Sequence, residues 1–185
     1  KMKRFKIVLI ALVSAFLFSS CGYNTMVEKD EQVTAAWAQV ENVYQRRADL
    51  IPNLVNTVKG YAAHEQETLT GVIEARSKAT SVNIDPTNMN PQMLQQFNQA
   101  QEGLSSALSK LMVVVERYPD LKANQNFLDL QAQLEGTENR IAVERRKFNE
   151  TTQGYNAYIR KFPRVIYAGW FGFEKKTYLE ARQGS

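Results

Sequence analysis

Apolar residues along this chain recur at alternating spacings of three and four, the signature of helices that bury one face. From Met26 to Arg76 the series runs Val33, Trp37, Val40, Tyr44, Ile51, Leu54, Val58 and Tyr61, then Val72 and Ile73. Ala36, Val43, Leu50, Val55 and Ala62 widen the stripe. Pro52 lies inside it, where a proline removes one helical hydrogen bond and bends the rod. The stripe keeps its phase across Pro52, which predicts one long, kinked first helix. Ser77 to Asn90 is polar and contains Asp85-Pro86 and Asn90-Pro91, so it reads as a loop with Asn90 as the next N-cap. Leu94, Phe97, Leu104, Leu108, Leu111, Val115 and Tyr118 mark a second helix that ends before Pro119. Phe127, Leu130, Leu134, Ile141, Phe148, Tyr155, Ile159 and Phe162 mark a third element, from about Asp120 to Phe162. No useful strand alternation appears, so the fold class is all-α.

The N-terminus carries a different pattern. Lys3, Arg4 and Lys6 precede an apolar run, Ile7 to Phe18, and Met2 is read as the initiator. A helix of that length covers roughly 18 Å against a bilayer core of roughly 30 Å. It fits a signal-peptide core better than a membrane span. Ser19 and Ser20 then lead into Cys21, the only cysteine. This resembles a bacterial lipobox, with Phe18 where leucine is usual. The resemblance implies diacylglycerol on the Cys21 sulfur and cleavage after Ser20. The expected organisation is a signal peptide at 1–20, a lipidated tether at 21–25, a helical body at 26–163 and an aromatic tail at 164–185.

Charge changes the picture little. The 23 basic residues exceed the 19 acidic ones by four. Lys1, Lys3, Arg4 and Lys6 account for that excess. The rest is balanced, so composition gives no support to nucleic-acid binding, which needs a basic surface.

Candidate chemistry is sparse. His64 is the only histidine, which excludes a zincin motif and a di-iron site built from two Glu-x-x-His units. A lipidated Cys21 is neither nucleophile nor metal ligand. No phosphate-binding glycine loop or nucleophile elbow is present. No cofactor, no metal and no enzymatic activity are expected. Arg47, Glu65, Glu138 and Arg145 fall on the helix seams. Partly buried ion pairs that set helix register are the favoured reading. A polar groove for an amphipathic or lipid ligand is the alternative, and Glu65 with Glu138 is the one carboxylate pair a hydrolase would use. In the tail, Trp170, Phe171 and Phe173 stand near Lys175 and Lys176. They read as a cap on the open end of the bundle or, if exposed, as a partner or membrane contact.

Two segments resemble the LemA family of bacterial membrane-associated proteins. One is Glu31–Glu65, with RRADLIPNLVNTVKGYA at Arg46–Ala62; the other is Thr137–Pro163, with ENRI, FN and YNAYIRKFP. Phe148 stands where the family often has tyrosine. The resemblance implies an antiparallel four-helix bundle, with one of the long elements split in two. It also implies display from a membrane by the N-terminus, a part in a larger assembly and no established activity. The combined expectation is a lipid-anchored scaffold or adaptor of the bacterial envelope. It would face the periplasm or exterior and contact envelope or membrane proteins.

Overall fold

The computed structural model describes the backbone of residues 2–180 and the side chains of residues 22–180. Among them are six helices and no strand: α1 (Met2–Lys59), α2 (Gln66–Ser81), α3 (Pro91–Val115), α4 (Pro119–Lys122), α5 (Gln125–Arg160) and α6 (Arg164–Trp170). The all-α expectation holds. The side chains of the expected signal peptide and of Cys21 lie outside the described residues, and residues 181–185 lie outside the described backbone.

Side-chain pairs give the directions of the four long helices. Asp30 of α1 binds Lys176 beyond α5, Arg47 binds Glu138, and Tyr61 binds Asn124. Partners descend in number as α1 ascends, so α1 and α5 are antiparallel. Gln101 of α3 reaches the Ala79 carbonyl of α2, and Arg117 beyond α3 reaches Glu65 before α2. Those two are therefore antiparallel as well. From Gly22 onward α1 covers about 57 Å, close to the roughly 54 Å of α5, at about 1.5 Å per residue.

The stripes read from sequence become two apolar clusters. One gathers Leu50, Ile51, Leu54, Val55 and Val58 of α1 with Leu69 and Val72, Leu104 to Val115, Leu121 and Phe127 to Leu134. The other gathers Met26, Val33, Trp37, Val40 and Tyr44 with Ile84, Leu94, Phe97, Ile141, Phe148, Tyr155 and Ile159. Trp37 is fully buried, with Phe97 and Phe148 edge-on at 5.3 and 5.4 Å.

Several boundaries differ from the sequence reading. The first element does not run unbroken to Arg76. It stops at Lys59, turns through Gly60–Glu65 and resumes as α2. A straight rod would carry Leu69 and Val72 beyond the core. Folding back buries both, while Tyr61 and Ile73 stay exposed. The second helix ends at Val115, and Pro119 starts the separate turn α4. The third begins at Gln125, because the Asn124 side chain accepts the Phe127 N–H and caps it there. Asn90 caps α3 as expected, accepting from Met93 N–H at 2.8 Å. Residues 22–25, expected as a tether, continue α1.

Helix α1 passes through Pro52 without a break. Proline has no N–H, so the Ala48 carbonyl four residues back loses its helical donor. Arg76 of α2 supplies one: its Nε donates to the Ala48 carbonyl at 2.7 Å. Arg76→Met is expected to cost about 1–3 kcal/mol, the penalty for an unsatisfied buried acceptor. In a Pro52→Ala background the residue 52 N–H takes over that carbonyl and the cost should nearly vanish. A urea-unfolding double-mutant cycle measures this; equal costs in both backgrounds would refute the compensation.

Candidate functional site

Between the two apolar clusters lies a polar layer to which all four long helices contribute. Arg47 of α1 is fully buried and is its centre. Its guanidinium donates to Glu138 Oε1 of α5 at 2.6 Å, Ser105 Oγ of α3 at 2.9 Å and Gln101 Oε1 at 2.7 Å. A further bond reaches the Gln101 carbonyl at 3.2 Å. Gln101 in turn donates to the Ala79 carbonyl of α2 at 3.1 Å. One buried cation thus requires Arg47, Gln101 and Glu138 to stand at the same level on three helices. A slip of one helix by a residue would break the set, so the layer sets the register between helices.

The other two predicted seam residues do not join it. Glu65 lies at the far end, where it accepts from Arg117 at 3.0 Å and the Tyr118 hydroxyl at 2.9 Å. That hydrogen bond, with some desolvation, holds the Tyr118 phenol above its ordinary pKa. Asn124 meets Tyr61 near Glu65, which puts Glu65 roughly 20 Å along α5 from Glu138 at about 1.5 Å per residue. Retaining and inverting glycosidases need carboxyls within about 10 Å, so the geometry gives that pair no support.

Arg145 has a third setting. It donates to the Tyr44 hydroxyl at 2.8 Å, Asn98 Oδ1 at 3.0 Å and the Glu180 carbonyl at 2.6 Å. The last bond belongs to a strap that the sequence reading missed. Residues 173–180, outside any helix or strand, run along α5 in the opposite direction, Lys176, Leu179 and Glu180 meeting residues 156, 149 and 145 in turn. Asn149 donates to the Leu179 carbonyl and accepts its N–H, both at 2.9 Å. Asn156 does the same for Lys176, at 2.9 and 2.8 Å. The spacing explains the fit. The seven-residue step from Asn149 to Asn156 on a helix spans about 10.5 Å, and the three-residue step from Lys176 to Leu179 on an extended chain spans about 10 Å. Within the strap Leu179 is buried, and Lys176 reaches Asp30 at 2.7 Å. Burial, then the Asp30 charge and hydrogen bond, push the neighbouring Tyr155 phenol well up.

The predicted tail aromatics divide between two roles. Phe173 is half-buried and packs on the second apolar cluster. Phe171 and Phe173 stack edge-on against Tyr23, at 5.0 and 5.7 Å. Phe173 caps the end of the body, while Phe171 stays exposed with Tyr23 at its edge. Trp170 is 79% exposed. It ends α6, a short helix within the stretch expected as an aromatic tail. Gly172, at φ 75°, lets the chain turn there: its N–H and that of Phe173 return to the Gly169 and Ala168 carbonyls. Seven residues give no usable periodicity, so α6 was not read from the sequence. At the same end a Cβ on Gly22 would stand 2.5 Å from the Tyr167 hydroxyl. A larger residue at 22 would have to displace the Tyr167 ring.

His64 is exposed in the turn between α1 and α2. Among the described residues no group of three or more His, Cys, Asp or Glu could hold a metal ion. None of their helices is long and apolar enough to cross a membrane. An open groove of about 690 Å³ lies between α3 and α5, with Ser105, Leu108, Met112, Leu134 and Glu138 among its walls.

Residues 36–185 match the LemA family. The chain belongs to that family. It is 27% identical over 177 residues to Magnetosome protein MamQ 2 of Paramagnetospirillum magneticum, covering 86% of this chain and 65% of the relative. It is 26% identical over 191 residues to Magnetosome protein MamQ of Magnetospirillum gryphiswaldense, covering 94% of this chain and 69% of the relative. Against Protein LemA of Metamycoplasma hominis the identity is 24% over 159 residues, with 85% and 69% covered. The chain thus spans about two thirds of the length of these LemA-family relatives.

Proposed function

We propose that this LemA-family protein is a membrane-anchored helical scaffold of the bacterial envelope. Lipid on Cys21 holds it to the membrane facing the periplasm or exterior, and its long helix faces are offered to envelope or membrane proteins. The observation that carries this reading is the junction at Gly22. The residue after the lipidation site is helical and packed against Tyr167, so the anchor passes directly into the body. A rigid junction suits presentation of a surface at a fixed place. The polar layer supports the same role, since it fixes helix register and its cation is fully enclosed. Relatives named magnetosome proteins support a part in a bacterial assembly.

The anchor has a direct test. Cys21→Ser is expected to leave unprocessed precursor and abolish metabolic labelling with a fatty acid; normal labelling of that variant would remove the lipid anchor. The scaffold role is tested by crosslinking in intact cells, wild type against Cys21→Ser. One dominant envelope protein captured only by the anchored form supports it. A second reading, a binder of an amphipathic or lipid ligand, is favoured by the groove between α3 and α5. Its volume exceeds the roughly 300 Å³ that small-ligand sites need. Co-purifying lipid with no specific protein would move the assignment there.

A further inference from the structure

We propose that α6 and the residues around it seat the body in the membrane interface, so that the protein stands on the bilayer rather than swinging from its lipid. This rests on the anchoring at Cys21 proposed above.

Helix α6 is amphipathic in the inverted sense. The side turned to the body carries Arg164, Tyr167 and Ala168: Ala168 is buried, Tyr167 meets Gly22, and Arg164 lies over the Tyr158 ring at 4.1 Å. The outward side carries Val165 and Ile166, each 49% exposed, and Trp170. Phe162 just before the helix is 80% exposed, and Phe171 just after it 59%. Tyr23 of α1, itself exposed, stacks on Phe171 and extends the patch across to the anchor helix. Contiguous exposed apolar surface of this kind marks an interaction site rather than ordinary surface. The exposed apolar residues of the remaining body, such as Ile73, Val113 and Leu128, are spread over separate helices.

Position selects the bilayer as the occupant. Gly22 touches α6, and Cys21 is one residue away, about 3.8 Å between Cα atoms. The patch therefore lies about one helix diameter, roughly 10–12 Å, from the point where acyl chains enter the membrane. A bilayer held at Cys21 is already at this end. Tryptophan and flanking cations are also the groups that settle at the headgroup level. Here Arg160, Lys161 and Lys175 are exposed beside the patch. Helices of this kind bury their apolar face about 5–10 Å into the headgroup–acyl boundary.

The two tryptophans allow a test on the full lipidated chain. Trp37 is enclosed in the core, roughly 22 Å along α1 from Gly22, while Trp170 is in the patch. The protein is reconstituted into phosphatidylcholine vesicles, with or without acyl chains brominated near the headgroup, and recovered by flotation. Trp170→Phe supplies the background to subtract. The Trp170 component should lose about half or more of its emission in brominated vesicles, given the burial depth above, and be shielded from acrylamide. Floated protein whose Trp170 is untouched by bromine and open to acrylamide overturns the seating while leaving the anchor intact. That outcome assigns the patch to a protein partner. Protein that fails to float overturns both readings.

Discussion

Glu138→Ala should destabilise the protein by about 3 kcal/mol, the low end of the ~3–5 kcal/mol for stripping a partner from a buried charge. The Arg47 guanidinium would stay fully buried, with only Gln101 and Ser105 to accept from it. Those acceptors are neutral. The low end applies because the Glu138 side chain is one-third exposed, which lets water reach part of the pair. Arg47→Leu combined with Glu138→Leu removes both charges and should cost less than the single change, because apolar replacement of a buried pair is often near neutral. Urea unfolding of the mature chain measures both variants against the wild type. A single-variant cost below about 1 kcal/mol, typical of a surface pair, would show that the layer contributes no more than an exposed ion pair.

Trp37→Ala should be at least as damaging, at about 3–5 kcal/mol for truncating a large buried aromatic. Trp37 is fully buried and makes ring contacts to both α3 and α5, through Phe97 and Phe148. Its removal opens a cavity where three helices meet. Trp37→Phe should cost distinctly less, for two reasons. It keeps an edge-to-face partner for both rings, and the indole N–H makes no hydrogen bond, so nothing polar is left unpaired. Thermal or urea unfolding of the two variants decides the matter. Equal losses would mean that the six-membered ring alone does not hold this junction.

Both expectations concern scaffold residues, which bears on the functional assignment. The largest effects are expected where side chains set the relation between helices. Among the surfaces offered outward are the groove between α3 and α5 and the patch around α6. Changes at the exposed positions of the α6 patch should alter partner or membrane engagement while leaving unfolding nearly unchanged, whereas the groove shares Glu138, Leu108 and Leu134 with the scaffold itself. Trp170, at 79% exposure, is the clearest such position.

Much of the architecture was legible in the sequence because it is local. A spacing of three and four states which face of a helix is buried, and Val33, Trp37, Val40, Ile51, Leu54 and Val58 are all buried as read. Asn90 before Pro91 states where α3 begins, because one side chain meets an N–H three residues away. The segments Glu31–Glu65 and Thr137–Pro163 were enough to point to the family. Periodicity does not say which helix a face meets, or at what level. Arg47, Glu65, Glu138 and Arg145 are alike in sequence as charges on seams, yet only the first and third meet. Their pairing depends on where the chain folds back at Gly60, and on the register that the folded helices then adopt. The strap escaped for the same reason. Asn149 and Asn156 hold it because two helical turns happen to match three extended residues, a relation that exists only once both segments lie side by side. The sequence alone thus determined the all-α class, most of the buried faces and the family, but not where the first element folds back, nor α4 and α6, nor that Tyr61, Ile73 and Phe162 leave their stripes for the surface. Tertiary structure decided which charges pair, which aromatics stay exposed and how the end of the body at Gly22 is built, since these depend on distances between segments far apart in the chain.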